Sequence, residues 1–206
     1  KAAKLVFSCG GHDPDLRSIP IGADGAFAGM KPGSIFVDHT TASADVAREL
    51  YAAAGGLGLR FIDAPVSGGQ AGAQNGVLTV MCGGELAAFD SARPAAMAYS
   101  RAFTRIGDSG AGQLAKMVNQ VCCIGAIQGL AEAIAFGQHA GLDMNLVLDV
   151  IGKGAAQSCQ TANRCQTMVA AQFASGFAGE CRRTDVGLVV EGARPNGHRV
   201  AEASVG

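Results

Sequence analysis

The stretch that most limits how this chain can fold is a short apolar run, Leu59 to Ile62, that opens into Asp63-Ala-Pro-Val-Ser-Gly-Gly69. A short run of this kind, bounded by glycine before it and proline after it, reads as a buried strand. A strand that stops at Pro65 and gives way to a hydroxyl and two glycines exposes backbone N–H groups at its C-terminal edge. Open α/β sheets place their ligands at that edge, and concave runs of amides hold anions such as carboxylates. Further on, Gly110-Ala-Gly-Gln-Leu-Ala-Lys116-Met-Val-Asn119-Gln120 opens a long apolar helix. Lys116, Asn119 and Gln120 stand at i, i+3 and i+4, so they share one helix face. Taken singly, each motif also has an ordinary reading. Ser-Gly-Gly is equally a tight turn, and Lys116 is equally a lysine that snorkels at the surface.

The rest of the chain supplies a frame for these two motifs. Lys4 to Cys9, closed by Gly10-Gly11, and Ser34 to Asp38 read as two further buried strands. A short helix is expected over Asp13 to Ile19. A longer one is expected from Ala44, capped by Ser43 and ended by Gly55 to Gly58. Strand, helix, strand with short loops is the βαβ rhythm of a parallel sheet. Gly76 to Gly84 reads as a strand, Leu86 to Tyr99 as a helix broken near Pro94, and Ala102 to Ile106 as a last strand. From Gly112 to His139 the pattern is one long helix. Helices over Met144 to Gly152 (capped by Asp143), Ser158 to Ala171 and Asp185 to Ala193 follow. The expected fold is α/β, with a partial doubly wound, Rossmann-like sheet over residues 1–108 and an all-α region over 109–206.

Composition narrows the function. The 16 basic and 17 acidic residues nearly cancel and form no basic stripe, so nucleic acid is not an expected partner. The seven cysteines lie at 9, 82, 122, 123, 159, 165 and 181 with no C-x-x-C pair, and Cys159 and Cys165 lack the neighbouring ligands a metal site needs. No metal is expected. Reduced thiols, and so a cytoplasmic or otherwise reducing compartment, fit this usage. The apolar stretch from Val118 to Ile134 carries Asn119, Gln120, Gln128 and Glu132, which suits a core helix rather than a membrane span.

Together the two motifs resemble those of the β-hydroxyacid dehydrogenases, the family of 3-hydroxyisobutyrate dehydrogenase and tartronate semialdehyde reductase. That family's substrate motif is matched by Asp63 through Gly69, Gly72-Ala73, Gly76 and Leu78, and its catalytic motif by Gly110, Gly112, Lys116, Asn119 and Gln120. The resemblance implies an NAD(P)-dependent oxidoreductase that moves a hydride between a nicotinamide and a small, carboxylate-bearing hydroxyacid. It implies Lys116 as general acid and base. Ser67, Gly68 and Gly69 would hold the carboxylate, Asn119 would orient substrate or lysine, and Gln120 would stand beside them. Gly10, Gly11, Asp15 and Thr41 would line the nicotinamide side of NAD or NADP. Thr184 occupies a position where the family has a cofactor-contacting lysine. The family also implies a homo-oligomer.

The resemblance has gaps. No G-x-G-x-x-G turn occurs in the 206 residues, and the chain starts at what resembles the family's fourth strand. The pyrophosphate cradle and ribose selector are therefore expected to be absent from these residues, and their nucleotide affinity to be weak. Leu5 to Cys9 is expected to form an apolar sheet edge. A second reading follows from the same gaps: a non-catalytic remnant that packs as an oligomer without binding nucleotide.

Overall fold

The structure, a computed structural model, describes residues 3–172, 179–194, 197, 198 and 200. Three parallel strands, β1 (Leu5–Ser8), β2 (Ile35–Asp38) and β3 (Arg60–Asp63), lie side by side in that order. Their register places Ser8, Asp38 and Asp63 in one row at the C-terminal edge. Helices α1 (Asp13–Ile21) and α2 (Ala26–Gly29) connect the first two strands, and α3 (Ala44–Gly56) connects the next two. Ser43 caps α3 as expected, its hydroxyl accepting from the Val46 N–H at 3.1 Å. Asp13 in turn fixes Ser43, accepting from its N–H and hydroxyl at 2.8 and 2.6 Å.

β3 ends at Asp63, ahead of Pro65, as expected. The chain resumes as β4 (Val66–Ser67), turns through a short helix α4 (Gly69–Gln74) and returns as β5 (Leu78–Gly84). Then come α5 (Leu86–Ala96) and β6 (Ser100–Gly107). β5 runs antiparallel to β3 and β4 but parallel to β6. The sheet is therefore mixed: the three strands of the expected βαβ rhythm are parallel, and β5 reverses. The segment between β4 and β5 is too short for a parallel crossover, which needs a dozen or more residues, so it closes as a reversal. β4 and α4 were hidden in the sequence by the glycines of the motif. Pro94 does not break α5, which continues to Ala96, although its missing N–H leaves the i−4 bond unmade.

Alternate side chains of the buried strands feed two cores. Ile35, Val37, Ile62 and Val80 pack against Ala88 and Ala92 of α5. On the opposite face Phe36 and Phe61 stack at 6.0 Å and pack against Leu16 of α1 and Val46 and Leu50 of α3. Among the described residues β1 is an edge strand.

The long helix α6 (Ala111–His139) leaves the C-terminal edge of the sheet. It carries α7 (Met144–Ile151), α8 (Cys159–Val169) and α9 (Gly179–Ala193), the last of which starts six residues earlier than expected. Asp143 and Ser158 cap α7 and α8. A third apolar cluster, Leu130, Ile134, Met144, Leu148 and Cys165, holds the distal end. By length and composition α6 is apolar enough to cross a bilayer. Its polar residues Gln113, Lys116 and Gln120 are buried, but most of its apolar stretch is not, where a core helix was expected.

Candidate active site

The site begins where α6 meets the sheet. Asp63, at the end of β3 and fully buried, accepts from the backbone N–H groups of Gly110 at 2.8 Å and Gln113 at 3.1 Å. A strand carboxylate thus caps a helix that has no side-chain cap of its own. Burial pushes the Asp63 carboxyl up to about 6, against the opposing pull of these amides. Gly110 takes a left-handed φ of 89°, and a Cβ on Gly112 would stand 2.6 Å from the carbonyl oxygens of Asp63 and Met81. Both glycines are needed for the helix to start this close to the strands.

One turn into the helix, Lys116 is 8% exposed and its Nζ donates to the Val66 carbonyl at 2.9 Å. Burial lowers its pKa; Asp185 and Cys123 act in the opposite direction. Asn119 donates through Nδ2 to Gln120 Oε1 at 2.8 Å, and Gln120 Nε2 donates to the buried Asp185 of α9. The expected trio therefore does share one face, and Asp185 closes it. Burial raises the Asp185 carboxyl, offset by the Gln120 bond and by Lys116.

The Ser-Gly-Gly segment lies beside the lysine through the backbone, since Val66 immediately precedes Ser67 in β4. Ser67 is half-buried, and its hydroxyl has no partner among the described residues. Gly68 and Gly69 adopt φ of 133° and 59°, and a Cβ on Gly68 would come 3.1 Å from Leu78. Gly10, Gly11, Asp15 and Thr41 gather at the ends of β1 and β2. The Gly10 N–H donates to Thr40 Oγ1 at 2.8 Å, and Thr40 donates to Asp38 at 2.8 Å. Thr41 is half-buried with no hydrogen bond from its hydroxyl to a described residue. Asp15 is exposed, lies against Gly11 and pairs with His12 at 2.9 Å. Thr184 is exposed on α9, next to Asp185.

Comparison with known proteins places the chain in a family. Residues 1–107 match the NAD-binding domain of 6-phosphogluconate dehydrogenase, and residues 110–205 match the NAD-binding unit of NADP-dependent 3-hydroxyisobutyrate dehydrogenase. An uncharacterized oxidoreductase of Shewanella frigidimarina is 53% identical over 201 residues, covering 98% of this chain and 69% of that protein. The chain belongs to the β-hydroxyacid dehydrogenase family. A probable mitochondrial 3-hydroxyisobutyrate dehydrogenase-like protein of Arabidopsis thaliana is 38% identical, over 92% of this chain and 63% of its own length. The crystal structure of 3-hydroxyisobutyrate dehydrogenase from Salmonella typhimurium superposes with a TM-score of 0.88 at 32% identity, covering 98% of this chain and 70% of that one. The chain thus spans about two thirds of the length of these relatives.

Family membership brings with it binding of NAD or NADP, and the residues present fit the nicotinamide end. The parallel strands β1 and β2 end together there, Gly10 and Gly11 leave the loop without side chains, and the Thr41 hydroxyl is unspent. Four residues that build this candidate site carry no assignment from the sequence alone. Asp63 stands in the sequence only as a motif letter, because the helix it caps begins 47 residues on. Gln113 lay inside the catalytic motif at a variable position. Asp185 stood beside Thr184 but drew no attention, because its partner Gln120 is far away in sequence. Asp38, fully buried in β2, read as part of a strand.

Proposed function

We propose that this chain carries the substrate side of an NAD(P)-dependent dehydrogenase of the 3-hydroxyisobutyrate type, acting on a small β-hydroxy carboxylate. The observation that carries this reading is Lys116: buried, lowered in pKa, and held by the carbonyl next to Ser67. A bound nicotinamide supplies hydride transfer to or from the carbinol carbon. Lys116 takes the hydroxyl proton during oxidation and returns it to the carbonyl oxygen during reduction. Desolvation favours its neutral form, which is the form that can act as base. Ser67 and the flanking amides receive the carboxylate, and the Asn119–Gln120–Asp185 chain keeps the lysine's surroundings fixed. The names of the Arabidopsis and Salmonella proteins support this substrate class.

The test is Lys116→Ala in the full-length gene product. The expected result is a kcat lower by roughly 10² to 10⁴ with cofactor affinity little changed. Retention of more than about half the parent kcat would remove the lysine from its role. In the parent, kcat/KM for oxidation should rise with pH and level off once the lysine is neutral.

Assembly belongs to the same reading. Phe136, Leu142, Leu146 and Val150 are exposed at the distal end of α6 and along α7, the first at 74%. Burying such side chains is favourable, which supports a homo-oligomer that covers them. Light scattering after size exclusion should show a mass above that of one chain. A sharp monomer peak at all concentrations would contradict it. The six described cysteines are free thiols, which supports a reducing, cytoplasm-like compartment.

A further inference from the structure

The polar residue most deeply set between the two halves of the site is Gln113. It is fully buried and lies three residues, about one turn, ahead of Lys116. Its side chain is engaged with the loop after β2, and its backbone N–H with the end of β3. Its Oε1 accepts from the Ala42 N–H at 3.0 Å, and its Nε2 donates to the Thr40 carbonyl at 2.8 Å. Its backbone N–H donates to Asp63 at 3.1 Å. The two side-chain bonds bracket Thr41 from both sides. Thr40 continues the path, because its hydroxyl accepts from the Gly10 N–H and donates to Asp38. A line of hydrogen bonds, half-buried at Gly10 and buried beyond it, therefore runs from the loop after β1, through the loop after β2, into the first turn of α6.

We infer that Gln113 is a positioning residue that couples the loop bearing Thr41 to the helix bearing Lys116, so that a dinucleotide held at that loop changes the affinity of the lysine site for its carboxylate substrate. The identity of the ligand at each end rests on the function proposed above. The carboxamide suits this task because it donates and accepts at once. A buried side chain with both arms satisfied has one orientation, and a loop that moves must carry the helix turn with it or leave buried N–H and C=O groups without partners. An aliphatic residue of the same size would fill the space but transmit nothing, and would orphan the Ala42 N–H and Thr40 C=O.

The experiment measures coupling directly, in the full-length gene product. Calorimetric titration with 3-hydroxyisobutyrate is done with and without saturating NADH or NADPH. The parent and Lys116→Ala should both show an affinity change of about fivefold or more between the two conditions, the usual scale of coupling between sites. In Gln113→Met, which loses both arms, and Gln113→Glu, which keeps only the acceptor, the ratio should fall to within about twofold of unity. Variants that retain the parent ratio overturn the inference, as does a parent with none. A second measurement needs no variant: hydrogen exchange of the amides from 110 to 116 should slow when the dinucleotide binds, and an unchanged rate overturns the inference. The Lys116→Ala arm separates the two ideas, because its activity tests the acid–base role while its coupling ratio tests the path through Gln113.

Discussion

The two ends of α6 are held in different ways. At the first turn, polar groups from two strand ends meet the helix: Asp63 on the amides of Gly110 and Gln113, and the Gln113 side chain on Thr40 and Ala42. At the distal end the contact is apolar, Leu130 and Ile134 against Met144, Leu148 and Cys165, with Phe136 left in solvent. Hydrophobic burial is non-directional, so a helix held that way tolerates small rotations and slides. Charge-assisted hydrogen bonds fix direction as well as distance. The reactive residues stand at the directional end. Lys116, Asn119 and Gln120 all lie within about three turns of the clamp, where a shift of the helix would be felt at once.

The strongest challenge to this contrast is Asp63→Ala. It removes the acceptor for two buried N–H groups, and each orphaned group costs about 1–3 kcal/mol. The expected loss is roughly 2–6 kcal/mol in urea unfolding, with activity lost well below the melting midpoint. Leu146→Ala, at the other end and exposed, should change stability by no more than about 0.5 kcal/mol. If the two substitutions cost the same, the clamp is not what distinguishes the ends.

How much of this was legible beforehand follows the same division. The strands and long helices showed in the sequence because their apolar periodicity is local: Ile35 to Val37 alternate between two cores, and α6 repeats apolar residues over many turns. The Lys116–Asn119–Gln120 face was legible because spacing on a helix is also local. The clamp was not. Asp63 and Gln113 are fifty residues apart, and Gln120 and Asp185 sixty-five, so no window of sequence contains either pair. The reversal at β5 was missed for a related reason. Glycines that permit positive φ at Gly68 and Gly69 say that the chain turns, but not which strand it turns toward.

A milder test compares two glycines of the same helix. Gly112→Ala would place a Cβ 2.6 Å from two backbone carbonyl oxygens, so backbone has to move, and overpacking of this kind costs about 1–3 kcal/mol. At Gly129 nothing lies within 4 Å of the added Cβ. There alanine gains helix propensity, and Gly129→Ala should stabilise by about 0.5–1 kcal/mol. Thermal unfolding of both variants gives the answer. Two changes of the same sign would mean that the first turn is no more tightly set than the middle of the helix.

The smallest effect concerns Asp38, which lies beside the clamp in the row of strand ends. It is fully buried, one oxygen accepts from Thr40, and the other meets no partner among the described residues. Burial pushes its carboxyl up to about 7, from an ordinary value of 3.8. Between those two pH values the folded chain keeps a proton that the unfolded chain has released. The folded state then binds more protons, so this group's contribution to stability is complete below about pH 4 and is lost as pH rises through about 7. Asp38→Asn keeps an oxygen for Thr40 but cannot ionise. Its thermal midpoint, measured relative to the parent, should therefore move upward by roughly 2–4 °C between about pH 6 and about pH 7. Asp63, pushed up to about 6 by burial, is present in both chains and leaves the difference unchanged to first order. A midpoint difference that stays constant across that range would show that Asp38 is as well solvated or as well paired as an ordinary surface carboxylate. The directional end of the helix would then rest on Asp63 and Gln113 without a buried acid beside them.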